Sequence, residues 1–149
     1  MTIEEFNIWM EAKVKLIPSQ VIEPTAQQLI NRIRYRVINT GMSYNRNLFS
    51  SYSDSYRKQK AKRYKSVTFK NFYDTGEMWK SFGIKETVEG QGEMNIKAYM
   101  NDGGRDKTTN QGLVEIHSDN ERKEIIAATQ KEIEEMSEYA NKKMTELWA

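Results

Sequence analysis

The sequence predicts an α+β fold: two N-terminal helices, a long loop, a small antiparallel β-sheet and a C-terminal helix packed on it. Three observations predict it. Apolar residues recur at helical spacing before residue 40 and again after residue 129. Two alternating segments flank Gly90-Gln-Gly92, as in a hairpin. Between the first helical stretch and the hairpin, residues 41–66 hold no sustained period. The 149 residues suit one domain, with a helical part at 1–40, an extended loop at 41–66, and sheet plus helix at 67–149.

The elements follow in order. Thr2-Ile-Glu-Glu5 reads as a capping box, and Phe6, Trp9 or Met10, and Ala12 to Val14 form a rough helical stripe. Pro18 is expected to end this helix, because the residue before a proline avoids helical angles. Pro24 suits the first turn of a second helix. Leu29, Ile30, Ile33 and Val37 give that helix its apolar face, and Asn39-Thr-Gly41 stops it. A short helix around Tyr52–Lys62 interrupts the long loop. Val67–Phe72 alternates as a strand does, and Asp74-Thr-Gly-Glu77 is a second capping-box pattern opening a helix through Phe82. Met78, Trp79 and Phe82 are core candidates, with Gly76 allowing close approach. Ile84–Glu89 and Met94–Met100 are the hairpin strands, residues 101–112 a polar loop, and Leu113–Ile116 a further strand. Thr129-Gln-Lys-Glu132 caps a last helix whose stripe is Ile133, Met136, Ala140, Met144 and Leu147.

Charge is uneven although the net value is only +2. From Arg32 to Lys70 there are eleven Lys/Arg and one acid, Asp54; from Gln111 onward nine acids face five bases. The basic stretch can be a solvated loop, a phosphate-facing surface, or a match for the acidic end of a neighbouring copy. Tyr44, Arg46, Phe49, Tyr52 and Tyr56 lie among its cations, a mixture that suits either base stacking on a nucleic acid or an anchor in a protein interface.

Several chemistries are absent from the sequence. Cysteine is missing, which excludes disulfides and thiolate metal sites. There is no phosphate-binding loop, zinc-protease motif or nucleotide-binding glycine fingerprint. His117 is the only histidine, and with Ser118 and Asp119 beside it in a turn-rich context it reads as structural. Asp102-Gly-Gly-Arg-Asp106 lacks calcium-loop spacing, and Glu134-Glu135 reads as a solvated helix face. The expectation is a protein without enzymatic activity, cofactor or metal. No apolar run approaches a membrane span, and Glu4 and Glu5 stand ahead of the apolar residues from Phe6 onward, unlike a secretion signal.

Two short motifs carry a resemblance. Phe49-Ser-Ser-Tyr-Ser-Asp-Ser-Tyr-Arg-Lys-Gln-Lys60, followed by Asp74-Thr-Gly-Glu-Met-Trp-Lys-Ser81, resembles the tailed-phage virion morphogenesis proteins, the Mu G-like family and related neck and tail-completion proteins. Tyr52, Ser53, Tyr56 and Lys60 match one motif of that family; Thr75, Gly76, Met78 and Ser81 match the other. The chain departs from the family in having Ser118-Asp119-Asn120 after its histidine, where a glycine is usual. The resemblance implies a structural virion protein, assembled in the host cytoplasm, that forms a six- or twelve-fold homo-oligomeric ring at the head–tail junction. Its partners would be portal, connector or tail proteins and the DNA passing through the ring. On that reading Phe49, Tyr52, Tyr56 and Lys60 anchor the loop at an assembly interface. The alternative is a non-specific DNA-binding module using the basic 44–70 segment, with Arg57, Lys58, Lys62, Arg63 and Lys65 on phosphates.

Overall fold

The computed structural model describes residues 1–63, 69–73, 76–89, 94–100 and 109–149. Helix α1 spans Ile3–Ile17, opened by the capping box of Thr2 and Glu5. It does not stop at Pro18. A π-helical segment, Pro18–Ile22, carries the chain directly into α2, Glu23–Thr40, with Pro24 in the first turn of α2. Proline removes one helical N–H. The chain widens by one residue there, and the Glu23 N–H closes the wide turn onto the Pro18 carbonyl. The expected break is thus absorbed as a π-turn.

Gly41 ends α2 in the left-handed region, φ 63°, with its N–H on the Val37 carbonyl. A Cβ there would lie 2.5 Å from Phe69 Cδ2, so both angle and space call for glycine. Helix α3 is Asp54–Arg63 and α4 the single turn Glu77–Lys80. Gly76 precedes α4 without a side-chain cap, at φ 80°, where a Cβ would press on the Tyr73 ring. Strands β1, Phe82–Glu89, and β2, Met94–Met100, pair antiparallel with a bulge between Ile84 and Glu86. Helix α5 is Asn110–Glu121 and α6 is Gln130–Trp148.

The α+β expectation is corrected by this architecture, which is mostly helical. Among the described residues the only ladder has two strands, too narrow to form a separate sheet layer. Instead α6 packs on α1, the π-segment and α2, and α2 also lies against β1. The helix-on-helix contact follows from burial: Met136 and Leu147 of α6 and Val21 of the π-segment are all buried. The expected strand Leu113–Ile116 lies inside α5, where Thr109 caps the helix through the Gly112 N–H and Val114 enters the core. Residues 69–72 form no strand. Positions 64–68, Asp74-Thr75, residues 90–93 and residues 101–108 lie outside the described residues, and with them Lys65, the first half of the second capping box and the hairpin turn.

The core gathers Ile30, Ile33 and Val37 of α2 with Phe49, Phe72, Met78, Trp79, Phe82, Val114 and Ile125. The expected face of α2 and the Met78-Trp79-Phe82 group therefore both lie in it. Trp79 and Ile125 are 1% and 0% exposed. Arg34 Nη2 donates to the Phe82 carbonyl at 2.7 Å, fixing the start of β1 against α2.

Candidate functional site: the Asn71 node and its cleft

Asn71 sits where the two sequence motifs meet. Lys60, on the inner face of α3, is 1% exposed, and its Nζ donates to Asn71 Oδ1 at 2.7 Å and to the Tyr52 hydroxyl at 2.9 Å. That ammonium also lies 4.5 Å from the centroid of the Tyr52 ring. The Asn71 and Phe72 amides both lie 3.2 Å from the same hydroxyl. Asn71 Nδ2 reaches the Ile38 carbonyl of α2, and Trp79 Nε1 donates to the Asn71 carbonyl at 3.2 Å. A buried ammonium is tolerated only when its donors find acceptors. Here they tie α3 to Tyr52 and Asn71, and Asn71 in turn joins α2 and α4.

Beside the node lies a cleft of about 380 Å³ walled by Tyr52, Tyr56, Lys70, Phe72 and His117. Tyr52 and Tyr56 meet ring to ring at 4.9 Å, as do Phe72 and His117. Phe72 adopts φ 54°, a strained value for a bulky side chain. At the cleft's edge Glu121 closes α5 onto the loop. Its carboxylate accepts from Lys70 Nζ at 2.8 Å, from the Ser50 hydroxyl at 2.5 Å and from the Ser50 amide at 2.9 Å. Burial pushes the Glu121 carboxyl up, but the hydrogen bonds from Lys70 and Ser50 outweigh it and hold the group below its ordinary value. Burial, followed by the nearby Lys70 charge, lowers the His117 imidazole; Glu121 opposes them more weakly.

The sequence-derived site residues divide by position. Phe49 is in the core, edge-on to Phe72 at 4.8 Å. Lys60 is internal, and Tyr52 and Tyr56 are half-buried at the cleft. Arg57, Lys58, Lys62 and Arg63 lie on the exposed side of α3. His117 is in a helix rather than a turn. Ser118 Oγ accepts the Ile125 N–H, and the Ser118 and Asp119 carbonyls accept the Arg122 N–H at the end of α5. Asn71, Ser50, Lys70 and Glu121 were not singled out by the sequence. Apart from Tyr73 and Trp79, which bond Asn71 locally, their partners are 11 to 71 residues away, a separation no local motif reveals. Among the described residues no group of three or more His, Cys, Asp or Glu side chains is placed to hold a metal ion, and no helix is long and apolar enough to cross a membrane.

Part of the charge asymmetry closes within the chain. Arg36 Nε donates to Glu132 Oε1 at 2.8 Å, with both side chains nearly buried. The same guanidinium reaches the Met42 and Ala127 carbonyls. Arg32 pairs with Glu135, and Lys70 with Glu121. Three cations of the basic stretch therefore meet acids of the acidic end in the same molecule. Glu135 is thus an ion-pair partner as well as a solvated residue.

Comparison with protein-family models, curated proteins and solved structures finds no match to this chain.

Proposed function

We propose that the chain is a structural component of a tailed-phage particle, forming an oligomeric ring at the head–tail junction as a neck, connector or tail-completion protein. The observation that carries this reading is the Asn71 node. Tyr52 and Lys60, from the motif that resembles one of the virion morphogenesis proteins, converge there with Trp79, which lies between Met78 and Ser81 of the other. The node fixes α3 to the body and turns Arg57, Lys58 and Lys62 outward. A helix held this way is a rigid arm for a neighbouring subunit or for the lumen of a ring. Its contact residues on this reading are Tyr56 and the outer cations, with Phe49 and Lys60 holding the arm from inside. The purified chain is expected to form closed rings of six or twelve copies, visible by negative-stain microscopy and light scattering. Particles carrying Tyr56→Ala are expected to lose normal tails and infectivity; normal assembly would sink the role given to the arm.

The exposed cations of α3 also favour a second reading, a DNA-binding module without sequence preference. It requires an affinity for duplex DNA that falls steeply with salt in the free monomer. The ring reading requires little affinity in that state.

A further inference from the structure

The geometry points to α1 as a self-recognition helix: we infer that two copies of the chain pair through α1, antiparallel and centred on Met10. Helix α1 has no buried residue, although a third of a surface helix ordinarily faces a core. One side is satisfied within the molecule. Trp9 meets Trp148 at 5.6 Å, and Lys13 Nζ donates to the Leu147 carbonyl at 2.6 Å. The adjacent side carries Ile3, Phe6, Met10, Val14 and Ile17, spaced i, i+3, i+7, i+11 and i+14. Ile3 is 83% exposed, Phe6 and Val14 are each 45% exposed, and Met10 and Ile17 are half-buried. The same spacing recurs in α6, whose stripe is largely covered by α1, the π-segment and α2.

A second copy is the occupant that the charges fit. Along one flank of the stripe run Glu4, Asn7, Glu11 and Lys15, again at helical spacing. The acids lie toward the N-terminal end and the lysine toward the C-terminal end. An antiparallel pair centred on Met10 sets Ile3 against Ile17 and Phe6 against Val14 of the other copy. It also brings Glu4 within one residue of Lys15 of the other copy, twice, and opposes the two helix dipoles. A parallel pair would bring the acidic ends together. The contact is isologous, so it stands apart from the head-to-tail contacts of a ring and would pair single copies or whole rings.

The test uses the absence of cysteine in the chain. In the full-length protein, Met10→Cys is expected to form a disulfide with its own counterpart under mild oxidation. Ile3→Cys is expected not to, because in an antiparallel pair the two copies of position 3 stand about 21 Å apart along the axis. Glu4→Lys or Lys15→Glu alone is expected to weaken association about 3- to 10-fold in sedimentation equilibrium, and the double exchange to restore it. Both positions are exposed, and unchanged circular dichroism would show that the fold persists. Self-crosslinking of Ile3→Cys, failure of Met10→Cys to crosslink, or no rescue by the double exchange would overturn the inference. Ring formation with no crosslink at Met10 would leave the proposed function standing and remove this contact alone.

Discussion

Tyr52 and Lys60 show what a motif residue does physically. The Tyr52 hydroxyl receives the Lys60 ammonium and lies within reach of two backbone amides, so its loss strands several buried polar groups. Tyr52→Phe is expected to destabilise the fold by about 2 kcal/mol in urea denaturation. A value near zero would mean that the node contributes no stability. Two neighbouring groups set the pH response. Glu121 sits below its ordinary value and His117 below 6.5. In each case the unfolded chain binds the proton first as pH falls, so folding stability declines with acid. The His117 contribution declines as pH drops through about 6.5 and the Glu121 contribution below about 4.5. Replacing His117 with Asn should flatten the upper part of that profile and leave the lower part. An unchanged slope near pH 6 would exclude His117 as its source.

At the scale of elements, capping boxes were the most legible feature. Thr2–Glu5 and Thr129–Glu132 open α1 and α6 where their sequences place them, since each box satisfies local amides with local side chains. Pro18 misled for an equally local reason: its rule concerns one residue, while the π-turn spreads the cost over five. Leu113–Ile116 misled because four apolar-rich residues do not distinguish strand from helix. The cap at Thr109 settles the matter, but it lies in the polar stretch 101–112, whose composition suggests a loop. Glu132 is shared by two structures, the cap of α6 and the Arg36 pair. Thr129→Ala should therefore cost about 1 kcal/mol and Arg36→Ala about 3 kcal/mol. The double variant should depart from their sum, because both act through one carboxylate. Strict additivity in thermal unfolding would show that the two roles are independent.

Across the whole molecule, the basic middle suits, on sequence alone, a solvated loop, a phosphate-facing surface or a match for the acidic end of another copy. The fold spends Arg32, Arg36 and Lys70 on Glu135, Glu132 and Glu121 of the same chain. Composition cannot reveal that choice, because it depends on α2 lying beside α6 and on α5 closing over the loop. The outward cations of α3 remain exposed. Exchanging Arg57, Lys58 and Lys62 together for Gln should change stability by less than about 0.5 kcal/mol each. The same triple variant should weaken ring assembly, or DNA retention under the alternative reading. Loss of the fold would mean that these residues belong to the packing instead.

The three tryptophans occupy two kinds of surroundings. Trp79 is enclosed in the core, whereas Trp9 and Trp148 touch each other where α1 meets α6. Their emission should differ accordingly, short-wavelength from the enclosed indole and longer from the pair. Loosening of α1 from α6 and melting of the interior would then register at separate wavelengths. The protein carries its own optical gauge for whether the terminal helices part before the centre gives way.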